Sequence, residues 1–404
     1  SPAFLTQAQL DKDRDGASTS VTDYQADKDS YSLVYDYNMK DNLKFNLLSS
    51  YYNSVSESST STSITNFDES KIAFKPKLNY EYSKGTLTAG YDYTFNNIVR
   101  DTKLGNGAFY DISKITNSVF LNNRYDMNKL ELITGYRYEK SDYEMKDQKY
   151  GTKTPSDMDK TSSNSAYSMG LNYLYSDSGK LYGKFESGYT FPDPRQYINL
   201  TNGEGELNNL QDEEFMTYEI GFQDYIINSL VKGAVYYTEK ENEIRKEGSS
   251  LNAKFYNIDA SKRIGGELSI SQNIKKLELS ESIAYVDAKV TEGTYEGKRI
   301  PYVSKITSSI NATYTFNEKV DLSGNITYRD KYYVDASNLS GLVNDKFLTD
   351  IKVNYSIDSN WKTYAGINNL FNADYYNTIN YSSGAYTYDP ASERNYFIGF
   401  NYSF

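Results

Sequence analysis

Asn395-Tyr396-Phe397-Ile398-Gly399-Phe400-Asn401-Tyr402-Ser403-Phe404 closes the chain, and its reading decides the fold. Tyr396, Ile398, Phe400, Tyr402 and Phe404 fall on every second position. In an extended strand successive side chains point to opposite faces, so these five share one apolar face. The other face carries Asn395, Phe397, Gly399, Asn401 and Ser403, small or polar apart from one ring. A strand divided in this way belongs to an antiparallel sheet with one greasy side and one wetter side. Soluble sandwiches and membrane-spanning barrels both meet that description.

The division recurs upstream. In residues 86–96, Leu87, Ala89, Tyr91, Tyr93 and Phe95 oppose Thr86, Thr88, Gly90, Asp92, Thr94 and Asn96. Residues 306–316 set Ile306, Ser308, Ile310, Ala312, Tyr314 and Phe316 against Thr307, Ser309, Asn311, Thr313 and Thr315. Residues 320–329 and 347–357 repeat the pattern, whereas Glu281 falls on the apolar parity of 277–285 and predicts a bulge or an interface there. The connections separate sandwich from barrel. Short turns at 83–85, 126–129, 177–179, 228–229, 317–319 and 358–360 carry Gly, Asn, Asp and Ser, the residues tight turns accept. Long polar connections at 54–69, 96–111, 142–162, 191–212, 239–254, 289–301, 330–346 and 372–392 alternate with them. Strict alternation puts every long loop on one side, as in a barrel with short periplasmic turns and long extracellular loops. Tyr pairs near strand ends, such as Tyr332-Tyr333 and Tyr375-Tyr376, read as interfacial girdles. With residues 5–14 as a weak first strand, the rhythm predicts about 18 strands in one all-β transmembrane antiparallel barrel domain over 1–404.

Composition agrees and narrows the function. Mean hydropathy is −0.71, and no run approaches the roughly 18 apolar residues of a spanning helix. The 43 basic and 54 acidic side chains leave a net charge of −11, which argues against nucleic acid. The chain has no cysteine and no histidine, so thiolate chemistry and imidazole acid–base or metal chemistry are absent. No phosphate loop and no nucleophile elbow is present either. Acidic pairs (Asp142 with Glu144, Asp157 with Asp159, Glu213 with Glu214) lie in or beside loops and read as solvated charge. No enzyme and no cofactor is expected.

Six segments in order carry a family resemblance. Ser187-Gly188-Tyr189-Thr190-Phe191-Pro192-Asp193-Pro194 comes first, then Asn208-Asn209-Leu210-Gln211-Asp212-Glu213 with Tyr218-Glu219-Ile220-Gly221-Phe222. Next are Tyr256-Asn257-Ile258-Asp259 leading to Gly266-Glu267-Leu268, and Gly297-Lys298-Arg299-Ile300-Pro301-Tyr302-Val303. Asn369-Leu370-Phe371-Asn372 with Tyr375-Tyr376, and the terminal Phe404, complete the set. Together they resemble the C-terminal barrel of TonB-dependent outer-membrane receptors, importers of ferric siderophores, haem, cobalamin and similar cargo. Both prolines of the family's second motif are replaced here.

The resemblance implies an outer-membrane barrel of a Gram-negative bacterium, with about 22 strands and an internal plug. It implies that the plug, through which the TonB complex acts, and four or so early strands lie outside this chain. Lipid and lipopolysaccharide would surround it, the barrel assembly machinery would read Tyr396, Ile398, Phe400, Tyr402 and Phe404, and the cargo would be a small chelate. A ferric siderophore is the favoured cargo. Loop aromatics and cations would grip it: Arg100, Phe109, Tyr110, Arg195, Tyr197, Tyr295, Tyr381 and Tyr386. Two other readings remain: a passive stand-alone porin of about 18 strands, which would leave an aqueous channel, and an adhesin using its Ser/Thr-rich loops.

Overall fold

Tight turns and alternating strands generate one continuous wall. The computed structural model describes residues 5–14, 23–60, 63–103, 107–152, 154, 157–248, 252–339, 342–382 and 385–403, so Phe404 lies outside the described residues. Its main sheet has 17 strands, beginning with Asp23–Lys40 and ending with Asn395–Tyr402. Each pairs antiparallel with the next long strand of the chain. The one fewer strand than expected is the 5–14 stretch, which forms the short helix Gln7–Lys12. Thr6 caps that helix in a reciprocal capping box with Gln9, a local signal that outweighs the weak alternation.

Turn chemistry sets the register. Ile227 and Asn228 both take positive φ (48° and 62°), the two-residue hairpin geometry whose twist matches the strands it joins. Register then carries side chains of one kind round the wall. Leu78 lies opposite Phe45 and Ala89, Ala89 opposite Leu121, Leu121 opposite Tyr136, and Tyr136 opposite Tyr167. Among the described residues no second sheet covers this face: Tyr396, Ile398 and Phe400 are 71%, 71% and 66% exposed. Such a band is costly in water and suits hydrocarbon, so the sandwich reading falls. The register also runs straight through Glu281, between Ile270 and Ile310, so the expected bulge is absent.

Several long connections are shorter than the sequence suggests, because the strands run on. Leu43–Ser59 continues into the Ser/Thr-rich stretch, Leu130–Tyr150 takes up much of 142–162, and the latter strand reaches 21 residues. Serine and threonine pair well across strands once a ladder holds them extended. About 9–11 residues span a bilayer, so the longer strands rise above it on the long-loop side.

Close packing within the wall rests on glycine facing aromatic rings. Gly188, Gly221 and Gly399 lie opposite Phe215, Tyr182 and Tyr364, whose rings lean over the missing side chain. A Cβ on Gly188 would sit 2.6 Å from Phe215 Cζ, whereas one on Gly183 meets nothing within 4 Å. Gly188→Val is therefore expected to cost about 1–3 kcal/mol by overpacking. Urea titration in lipid vesicles reads this, with Gly183→Ala as the control that stays close to the parent.

Candidate ligand-binding mouth

Above the membrane, the long loops fold onto the raised wall as three small apolar cores. The first joins Tyr110, Ile112, Met145, Tyr197, Ile198 and Leu210. The segment that supplies its second half opens with Asp193, whose Oδ1 accepts from Arg195 N at 3.0 Å and caps the short helix Pro194–Tyr197. The hairpin of Ile198–Thr201 and Glu204–Leu207 follows. Asn257 then clamps the segment to the wall: its Oδ1 accepts from Gln211 N at 2.9 Å, and its Nδ2 donates to Asn242 O at 2.7 Å. Lys160 Nζ lies 4.3 Å from the Tyr197 ring centre and donates to Leu210 O at 2.6 Å. Burial pushes the Tyr197 phenol well above its ordinary value, and burial likewise raises the Asp212 carboxyl beside it.

Five of the eight residues nominated from sequence gather here, in different roles. Tyr110 and Tyr197 are 2% and 0% exposed, so they are packing residues in this conformation. Arg100 stacks 5.4 Å over Phe67 and 5.9 Å over Tyr110, and Phe109 is half-buried next to it in the chain. Arg195 is exposed and pairs with Asp193. Tyr295 belongs to the second core, against Ile258, Ala288, Val290 and Ile300. Tyr386 belongs to the third; Tyr381 pairs with it through the backbone, and the Tyr381 side chain lies outside the described residues.

On the raised wall nearby, Glu243 is only 4% exposed. Its carboxylate accepts from Arg263 at 2.6 Å, from Ser261 Oγ at 2.7 Å and from Arg245. Burial alone would raise this carboxyl, but the two guanidiniums outweigh it and hold the group below the ordinary carboxylate range.

The third core borders a cavity of about 430 Å³. The strands Val320–Arg329 and Lys346–Ser356 build its floor with their last mouthward residues. Tyr328 faces Phe347 on the lipid side, so Arg329 and Lys346, also directly opposite each other, point to the lumen. The guanidinium of Arg329 lies 4.7 Å from the Tyr332 ring centre and Lys346 Nζ lies 4.2 Å from that of Tyr375. Arg329 Nε is buried without a hydrogen-bond partner. The Tyr376 and Tyr388 rings lie tilted against each other with centres 4.7 Å apart, and both line the cavity with Tyr375 and Tyr386. Like charges directly across a ladder are unfavourable unless something anionic lies between them. Asp345 and Asp374 also line the cavity and Asp350 lies near Lys346, so the lining carries both signs; its two cations and phenol rings suit the anionic face of a flat ligand.

This arrangement corrects the girdle reading of two Tyr pairs. Tyr332 is 5% exposed inside the third core, and Tyr375 and Tyr376 line the cavity. Arg329 and Lys346 were not nominated from sequence, although charged residues ending the wet faces of neighbouring strands are a legible signal. Two of the resemblance motifs act as loop corners, whereas residues 218–222 and 266–268 lie within long strands. Asn369, at φ 52°, accepts from Ala373 N at 2.7 Å and donates from its own N to Asp350 Oδ1 at 2.8 Å. Arg299 N donates to Asn338 Oδ1 at 2.7 Å, which ties the Ile300-Pro301 stretch to the neighbouring loop. Among the described residues no three His, Cys, Asp or Glu side chains group as a metal site.

Residues 2–370 match the family model described as TonB dependent receptor-like, beta-barrel. The catecholate siderophore receptor Fiu of Escherichia coli K12 is 21% identical over 249 residues, 58% of this chain and 32% of its own length. The siderophore receptor PiuA from Acinetobacter baumannii superposes with a TM-score of 0.77 at 16% identity, covering 94% of this chain and 64% of that one. The ferric citrate transporter FecA gives a TM-score of 0.79 at 16% identity, covering 99% and 65%. The match with Fiu thus takes in about a third of that receptor's length, and those with the two solved chains just under two thirds of theirs.

Proposed function

Since this chain belongs to the TonB-dependent receptor family as its outer-membrane β-barrel, we propose that it forms the wall and mouth of an active importer of a negatively charged ferric chelate. A catecholate-type siderophore is the preferred cargo, in line with the catecholate siderophore receptor among its relatives. The observation that carries this reading is the opposed pair Arg329 and Lys346 on a tyrosine-lined cavity at the lumen's mouth. An anionic, aromatic iron complex would relieve their mutual repulsion and stack on the phenols.

Energy would come from the TonB complex through a plug encoded outside this chain. Strands outside it would complete the ring: the main sheet has 17 among the described residues, and about 22 is the size of large plugged transporters. They would pair with the free edges of Asp23–Lys40 and Asn395–Tyr402, which lipid cannot satisfy. The outward face of Asn395–Tyr402 would be read by the barrel assembly machinery, and lipopolysaccharide would border the upper wall.

The test is growth of an iron-starved Gram-negative host that lacks its own ferric-chelate receptors and expresses the intact protein. An iron(III) catecholate complex as sole iron source is expected to restore growth only when TonB is functional. Growth without TonB, or steady ion conductance by the intact protein in planar bilayers, would overturn the proposal in favour of a passive channel.

A further inference from the structure

A stretch far from the cavity in sequence supplies part of its wall. Leu5 and Tyr388 exchange two backbone hydrogen bonds, at 2.7 Å and 2.8 Å, and Leu5 is 4% exposed. Helix Gln7–Lys12 follows, and Gln7 lines the cavity. Arg14 ends the stretch with its guanidinium on the Asp374 carboxylate, donating also to Tyr375 O at 2.5 Å and Ala391 O at 3.4 Å. Its carbon centre lies 5.4 Å from the Tyr376 ring centre. Asp374, Tyr375, Tyr376 and Tyr388 all line the cavity. Every anchor of the stretch except Ala391 is thus a cavity residue.

Two features make this attachment releasable. A six-residue helix is far too short to hold its own shape in water, so its order depends on what it is docked against. The docking combines those polar contacts, with Asp374 69% exposed, with only two buried apolar side chains of the stretch, Leu5 and Leu10, and elements with so few buried apolar contacts open at low free energy. We infer that residues 5–14 are a latch across the mouth: docked, they complete the cavity wall and fix Tyr375 and Tyr376; released, they open its side. Arg14 is the positioning residue of this latch. That the latch guards cargo rests on the proposed import function, but its opening can be measured without cargo.

This chain has no cysteine, so one thiol can be placed at Val343, which lines the cavity and is 9% exposed. The probe is a bulky maleimide reacting with the Val343→Cys receptor in lipid vesicles. Adding Arg14→Ala is expected to speed labelling by about tenfold, the equivalent of one charge-assisted hydrogen bond. Arg14→Lys, which keeps the charge and loses the fork, should fall between. Leu5→Pro removes the N–H that reaches Tyr388 O and should also speed labelling; it carries the test if Arg14→Ala fails to fold, as judged by gel mobility before and after heating. Labelling rates equal to the parent in folded variants overturn the latch. Faster labelling together with no binding of iron(III) catecholate would leave the latch standing and remove the cargo assignment.

Discussion

Replacing Arg329 and Lys346 together by glutamine in the intact receptor is expected to weaken binding of an iron(III) tris-catecholate complex by about 100-fold or more. A hydrogen bond to a charged group contributes roughly 1.5–3 kcal/mol, and two such losses exceed the roughly 2.8 kcal/mol that 100-fold represents. Lys346→Gln alone should cost about tenfold. The double substitution is also expected to raise the urea midpoint of the empty barrel slightly, because the two residues oppose each other across the ladder and repel. A folding defect would lower affinity and stability together, so opposite signs identify a binding role. Fluorescence quenching titrations against the complex, run beside urea titrations in vesicles, decide the matter. Unchanged affinity in the double variant would remove the cavity from the binding site.

The contrast between wall and cavity explains what the sequence made legible. Alternation and turn chemistry are local, so strands such as Val320–Arg329 and hairpins such as Ile227-Asn228 follow from neighbours in the chain. The cavity is not local. Arg329 and Lys346 meet only because the register of two strands places them opposite after a long connection. Tyr110 and Tyr197 look like free mouth aromatics in the sequence, yet they are buried because the 191–212 segment folds back over the wall. The helix at Gln7–Lys12 was within reach, since Thr6 and Gln9 spell a capping box. Glu281 shows the limit of periodicity from the other side: an off-pattern residue was absorbed without any change in register.

The wall's own weak point lies at Glu243. Arg263→Met is expected to destabilise the barrel by about 3–5 kcal/mol, because a buried carboxylate loses one of the two guanidiniums that compensate it. The pH dependence should reverse as well. With both arginines the folded carboxyl sits below its ordinary value near 4.5. Its contribution is then complete above that value and fades only as the solution is acidified through the lower folded value. Without Arg263, burial outweighs the remaining arginine, and the folded carboxyl rises above the ordinary range. The cost is then present at neutral pH and is relieved as pH falls through that raised value, because the folded state takes up the proton more readily than the unfolded one. Urea midpoints between pH 7 and pH 5 should therefore stay flat for this group in the parent and climb toward acid in Arg263→Met. Adding Glu243→Gln to Arg263→Met should remove the climb, since the titrating group is gone. Parallel profiles for parent and variant would mean that the two arginines do not compensate Glu243, and that the upper wall is held by its backbone ladder alone.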